Sequence, residues 1–573
     1  MSAESLTNTE SSSDSTRCAC VDSESTESAD SLNNLLREKN DNNSLRDCAD
    51  VKCSLTEDCS MSNENGSSGK SGKSLCCNTV SQCVWGILLL AISIGGFLFT
   101  PQDLMLREKL NMRPGFPPYE WWADPPDEVK LRVYVFNVTN HVRFLAGLDE
   151  KMDVHEIGPI VYLEKLVHSR INFNENSTMT YLAKRSPIFL PHLNSVDLNA
   201  TLIVPNLAVL GIASYLHDAN YLVRTGFRLL VNSHSSKLFV QKTVYEYLWE
   251  LTDPVLDTSK NLAPGMVPVT NMGMLARIYA DFTDEVTVKI GPKWGDEGFF
   301  QIDRFRGAPQ LPGYDPDECP DRIIGSTEGV MYHQRLTKED VVLYWRKTVC
   351  KVMPLYFDDE MVIDGVPVYR YNLSESVFDR VINSTDCYDT EPSLPKGLSD
   401  GSKCYYNFPM VVSYPHFYTG DPPKDTYVTG LQPDRYKHNS YIIVEPLSGT
   451  PFRSVARMQS NLRIHDLSGF GYDYGKFSNL VVPLFWAEYN QEGLPSHIKT
   501  TIYFMTVILP PLSYIVLSVL LLTGSYFLAK NLYIHRLKNE TLNSLLHFKS
   551  KNTTMTTNKI LTYEKEVFIK TSS

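Results

Sequence analysis

The sequence predicts an α+β membrane protein: a strand-rich antiparallel body carrying a small helical cluster, anchored by two transmembrane helices. Three observations carry this prediction. Two long uncharged apolar runs lie towards either end of the 573-residue chain. Short alternating runs separated by turn signals dominate the segment between them. One stretch within that segment has helical spacing instead. Hydrophobic residues at 43% and aromatics at 11% are enough to bury a core. A net charge of −12 makes the chain a poor general binder of phosphate backbones, so a nucleic-acid partner is excluded.

Residues 1–80 come first. They are rich in Ser, Asn, Glu and Asp, lack aromatics and hold 14 acidic against 7 basic residues. This composition predicts a disordered acidic cytosolic tail whose partners the sequence does not identify. Its cysteines do not suit zinc, because the tail has no His and Cys18-Ala-Cys20 is too tightly spaced. Cys76, Cys77 and Cys83 abut the membrane and are candidates for S-palmitoylation.

The first span is placed at 81–101, inside the uncharged run Ser74 to Gln102. About 20 apolar residues suffice to cross a bilayer core. The run lies too far from Met1 for a cleaved signal peptide and reads as an uncleaved signal-anchor. The second span is placed at 500–530, within the uncharged stretch that begins at Thr500; its Pro510-Pro511 pair is expected to kink the helix. Lys70 and Lys73 flank the first span, and Lys530, Arg536 and Lys538 flank the second. The positive-inside rule therefore puts both termini in the cytosol and residues 102–499 outside it. The tail 531–573 is basic, with 7 Lys/Arg against 3 Glu, and suits anionic cytosolic lipids. Leu545-Leu546 and Leu35-Leu36 resemble dileucine sorting signals, each with its acidic residue one position too distant.

Within 102–499, strands are expected at Lys130–Phe136, Ile160–Leu163 and Tyr441–Val444. Gly158-Pro159, Asp421-Pro422-Pro423 and Gly449 mark turns. Leu207 to Leu251 carries apolar stripes at helical spacing, including Leu207, Leu210, Leu222, Leu230, Phe239 and Leu248. Four of the 12 cysteines fall here: Cys319, Cys350, Cys387 and Cys404. In an oxidising compartment they predict two disulfides with three possible connectivities. Sequons begin at Asn137, Asn176, Asn199, Asn372 and Asn383, all on the predicted lumenal side.

No nucleophile elbow, zinc-protease helix, phosphate loop or cofactor motif is legible. Gly469-Phe-Gly-Tyr-Asp-Tyr-Gly475 has the wrong spacing for a nucleotide loop and reads as a turn. Asp281, Asp284 and Glu285, or Asp315, Asp317 and Glu318, read as solvated acidic loops before calcium ligands. The histidines are scattered.

An ordered set of motifs resembles the class B scavenger receptor family. It starts with Gly158-Pro-Ile-Val-Tyr162, Ile171-Asn-Phe-Asn-Glu-Asn-Ser-Thr178 and Leu248-Trp-Glu-Leu-Thr-Asp-Pro-Val255. It continues with Gly365-Val-Pro-Val-Tyr-Arg370, Pro415-His-Phe417, Glu445-Pro-Leu-Ser-Gly449 and Arg457-Met-Gln-Ser-Asn461. The long tail resembles that of an invertebrate-like member. The resemblance implies a large irregular antiparallel β-barrel ectodomain with a helical-bundle crown at about 205–253. It implies the pairings Cys319 with Cys387 and Cys350 with Cys404. It implies a receptor, not an enzyme, that binds lipids, lipoproteins or anionic particles at the crown and passes lipid through an apolar tunnel. The crown positions with basic character are Arg224, Arg228, His234, Lys237 and Lys242; a lysine used by some relatives aligns with Ser233. The implied location is the plasma membrane, with the endosome or lysosome membrane and protein-cargo sorting as the alternative.

Overall fold

The computed structural model of the chain describes residues 69–570, except 266, 281–282, 316, 318, 320, 382–386, 391 and 421–427. The side chains of 69–78, 552–557 and 559–570 also lie outside the description. Most of the amino-terminal tail, with Leu35-Leu36, therefore lies outside it, as do Asn383, Asp281 and Glu318.

Among the described residues two helices are long and apolar enough to cross a membrane, Thr79–Leu98 and Ser496–Lys551. The first helix begins at Gly69, inside the segment read as tail. A helix nucleated by an apolar span propagates cheaply into neighbouring residues that hold no proline. It stops at Leu98 because a new helix, Pro101–Leu110, starts there, with Thr100 accepting from the Asp103 amide at 3.1 Å and proline in its first turn. The second span deals with Pro510-Pro511 through a π turn at Phe504–Ile508 between helices Ser496–Tyr503 and Leu509–Lys570. Each proline lacks an N–H, which frees the carbonyls of Thr506 and Val507 four residues back, and both fall within the π turn. The two spans touch: Ser93 Oγ donates to the Leu517 carbonyl at 2.8 Å.

Among the described residues the body is built on sixteen strands: β1 (Val129–Val138), β2 (Met152–Asn174), β3 (Thr178–Phe189), β4 (Thr201–Pro205), β5 (Phe239–Thr243), β6 (Thr283–Lys289), β7 (Ile302–Phe305), β8 (Val342–Arg346), β9 (Lys351–Ile363), β10 (Val366–Leu373), β11 (Ser399–Asp400), β12 (Met410–Ser413), β13 (Val428–Thr429), β14 (Tyr441–Glu445), β15 (Thr450–Arg463) and β16 (Val481–Gln491). Fourteen form one sheet in the order β7-β6-β3-β2-β1-β16-β15-β14-β10-β9-β8, with β12 on β15, β11 on β12 and β13 on β2. Its two ends meet across the strip Gly325–Thr327. Ile302 N–H donates to Ser326 O at 2.8 Å, and Trp345 N–H donates to Thr327 O at 2.8 Å. That strip closes the sheet into an irregular barrel and removes its unpaired edges.

The crown stands on β4 and β5, which pair only with each other. Its helices are Leu207–Tyr215, Tyr221–Ser233, Val244–Trp249, Pro254–Leu262 and Met274–Tyr279, so the cluster runs on past residue 253. Polar residues start four of them. Asn206, Asn220 and Asp253 each accept from a first-turn amide, and Thr243 with Glu246 forms a capping box. Phe239–Thr243 was expected to continue the helical stripe and is instead β5. It is drawn into register with β4, Val240 opposite Val204, so tertiary pairing overrides the local period.

Candidate functional site

Two apolar cavities lie along the inner wall formed by β15 and β16. The membrane-side cavity has a volume of about 230 Å³ and reaches from Met105, Trp121, Ile502 and Met505 up to Arg346 and Tyr489. The crown-side cavity, about 90 Å³, is enclosed by Leu207, Ile212, Met274, Tyr405, Phe408 and Phe485. Register fixes their relation. Ser460 pairs with Phe485 beside the crown cavity, Met458 with Ala487 next, then Ala456 with Tyr489 and Ser454 with Gln491 beside the membrane-side cavity. Alternate residues of a strand share a face about 7 Å apart, so the two hollows are stacked layers of one interior.

A charged layer lies in the upper part of the membrane-side cavity. Arg185 and Glu328 form an ion pair at 3.5 Å, and Tyr181 Oη donates to Glu328. Tyr279 Oη donates to Glu164 at 2.9 Å, and Arg346 lies 3.7 Å from the centre of the Tyr489 ring. Burial away from water and the Glu164 and Glu328 carboxylates push the Tyr279 and Tyr181 phenols well up. Lower down, the buried Lys109 Nζ donates to the Ser448 carbonyl at 2.5 Å and to Thr450 Oγ1 at 3.3 Å. Desolvation lowers its pKa to about 8, opposed by Glu445. No sequence signal marks this layer, because its members come from β2, β3, β8, β16, the helix Met274–Tyr279 and the 328 loop and carry no shared spacing.

The basic crown positions separate in space. Arg228, His234 and Lys237 are exposed, while Arg224 and Lys242 are half-buried. Arg224 and Arg228 turn towards Gly469 and Gly471, so the glycine-rich loop is a short 3₁₀ turn and helix packed against helix Tyr221–Ser233. His234 Nε2 hydrogen-bonds Thr258 Oγ1 at 2.9 Å. Leu222 and Leu229 stand exposed on the outer face of the same helix.

Cys319 is bonded to Cys387 and Cys350 to Cys404, with Cα separations of 5.3 and 5.9 Å. Asn176 and Asn199 are exposed; Asn137 and Asn372 are half-buried on strands, with their carbonyl oxygens taken by Ile203 N–H and Arg370 Nε. Cys83 carries a free thiol, and Cys76 and Cys77 lie on the same helix with their side chains outside the description. Asp284 is held by Arg306 at 2.7 Å and Lys347 at 2.9 Å, and Asp315 accepts from the Asp317 amide. Among the described residues no cluster could hold a metal ion. Four of the 13 histidines form two stacked pairs, His416 with His438 and His217 with His465.

The chain resembles known proteins along most of its length. The model of the CD36 family matches residues 84–535. Scavenger receptor class B member 1 of Sus scrofa is 27% identical over 77% of this chain and 86% of its own length. The Rattus norvegicus protein of that name is 28% identical over 78% and 87%. Lysosome membrane protein 2 of Homo sapiens is 25% identical over 74% and 88%.

Proposed function

The chain belongs to the CD36 family, and from that premise we propose that it is a receptor that binds lipids, lipoproteins or anionic particles at its crown and hands lipid through the apolar interior towards the membrane. The observation that carries this reading is the stacking of two apolar cavities along β15 and β16, the lower one walled partly by Ile502, Met505 and Thr506 of the helix that becomes the second span. A lipid tail held there is sheltered at about 0.8 kcal/mol per buried CH₂. Transfer breaks no bond, so the reading requires no nucleophile.

Arg228, His234 and Lys237 are the exposed basic groups that would meet an anionic surface, with Arg224 and Lys242 set behind them. Steering of this kind acts over a Debye length of about 8 Å and weakens with salt. Arg228→Glu combined with Lys237→Glu should lower uptake of phosphatidylserine vesicles severalfold in cells expressing the full chain, with surface expression unchanged. Undiminished uptake would remove the crown from the binding step.

A second reading is a lysosomal membrane receptor that sorts a protein cargo. The similarity to lysosome membrane protein 2 favours it, and so do Leu222 and Leu229, which are 78% and 64% exposed on the crown. Steady-state location separates the two: the lysosomal membrane supports sorting, and the plasma membrane supports lipid capture.

A further inference from the structure

We propose that Arg346, at the inner end of the membrane-side cavity, anchors the anionic head group of a single-chain amphiphile whose tail points to the bilayer. This rests on the cavity reading above and adds a specificity-determining residue to it. Arg346 ends β8, is 7% exposed and lines the cavity. Its Nε donates to Thr348 Oγ1 at 3.2 Å and its Nη1 to Tyr344 Oη at 3.4 Å. Its Nη2 is buried and has no hydrogen-bond partner. The nearby carboxylates are engaged elsewhere: Glu328 with Arg185 and Tyr181, Glu164 with Tyr279. Among the described residues none forms an ion pair with Arg346. A guanidinium keeps its charge under all ordinary conditions and presents donors in a fixed fork suited to carboxylate or phosphate.

Nη2 is thus a charged donor that no group of the protein accepts from. Lys109, the other cation lower in the cavity, already donates to Ser448 and Thr450. Below Arg346 the wall turns apolar through Leu166, Leu355, Ile442, Leu494 and Met505. A head at Arg346 therefore places a tail along this wall towards the second span. A neutral lipid of the same length offers Nη2 at most an uncharged acceptor, so the site selects anionic over neutral amphiphiles.

The test is equilibrium binding of hexadecanoate, 16-carbon lysophosphatidate, hexadecanol and inorganic phosphate to the full chain in zwitterionic nanodiscs, with empty nanodiscs subtracted. One charge-assisted hydrogen bond to a buried guanidinium corresponds to a preference of about tenfold. The wild type should bind one or both anionic amphiphiles about tenfold tighter than hexadecanol. Arg346→Met should abolish that preference, chiefly by weakening the anionic probes, and Arg346→Lys should restore part of it. Equal binding of charged and neutral probes by the wild type would overturn the proposal, and so would a preference that survives in Arg346→Met. Should Arg346→Met not fold, the wild-type ratio and Arg346→Lys still decide. Inorganic phosphate binding as tightly as lysophosphatidate would overturn the amphiphile class. Failure of every 16-carbon probe to bind would instead overturn the cavity reading itself.

Discussion

His416 and His438 lie face to face inside the body, with ring centroids 4.6 Å apart and planes within 12°. The Gln432 amide donates to His416 Nδ1 at 3.0 Å, and the Asp434 amide donates to His438 Nδ1 at 3.1 Å. Both Nδ1 atoms are therefore acceptors, the neutral tautomer carries its proton on Nε2, and His416 Nε2 donates to Glu156 at 2.6 Å. Burial first and the neighbouring His416 second lower the His438 pKa to about 4; Glu156 and Asp434 oppose this and Arg457 adds to it. A histidine lowered on folding stabilises fully above its unfolded pKa of about 6.5. That contribution is lost as pH falls, because the unfolded chain takes up the proton first. Between pH 7 and pH 5, His438 should cost the fold on the order of 2 kcal/mol. His438→Asn should accordingly flatten the fall in melting temperature between those two pH values. An unchanged slope would dismiss His438 as its source. The two histidines are 22 positions apart in a loop-rich stretch, and nothing in their spacing announces the stack; it depends on two backbone amides delivered by the 432–434 turn.

At the scale of elements, the spans pack through their smallest residues. A Cβ at Gly524 would sit 3.0 Å from the Gly86 carbonyl and 3.0 Å from Leu90 Cγ, and a Cβ at Gly96 would run into Leu517. Small residues permit this approach, and Ser93 adds a hydrogen bond across it. Gly524→Val should destabilise span pairing by about 1–3 kcal/mol, as overpacking does. Gly95→Val serves as the control, since nothing lies within 4 Å of its Cβ. Denaturant titration of the full chain in micelles reads both; equal behaviour of the two variants would contradict a packed helix pair. The spans themselves were legible because hydropathy over one span is a local property. Strand placement was legible where alternation is clean, as in β1. It was incomplete for β2, whose Ile160–Val161-Tyr162-Leu163 core sits within a 23-residue strand held by partners on both sides. Phe239–Thr243 misled because its apolar residues satisfy either period, and only β4 settles which.

The whole molecule is a membrane protein with a span near each end and its body between them, so tags fused at Met1 and at Ser573 should both be shielded from an impermeant reagent in intact cells. Asn176→Gln and Asn199→Gln should each remove one endoglycosidase-sensitive step in mass, because both side chains are exposed on the body. Reagent access to one tag alone would refute the arrangement. The motif order pointed to a barrel with a crown, but the closure did not show in the sequence: it consists of backbone bonds from Gly325–Thr327 to β7 and β8. The sequence by itself determined the two spans, the side of the membrane on which the body folds, and its strand-rich character, because apolar length, flanking charge and period-two alternation act between near neighbours. Only the tertiary structure decided that Glu164, Arg185, Glu328 and Arg346 meet in one layer between apolar hollows. Charges so far apart in the chain meet only when strand register carries them inward, and there, out of water, each must find a partner or await one.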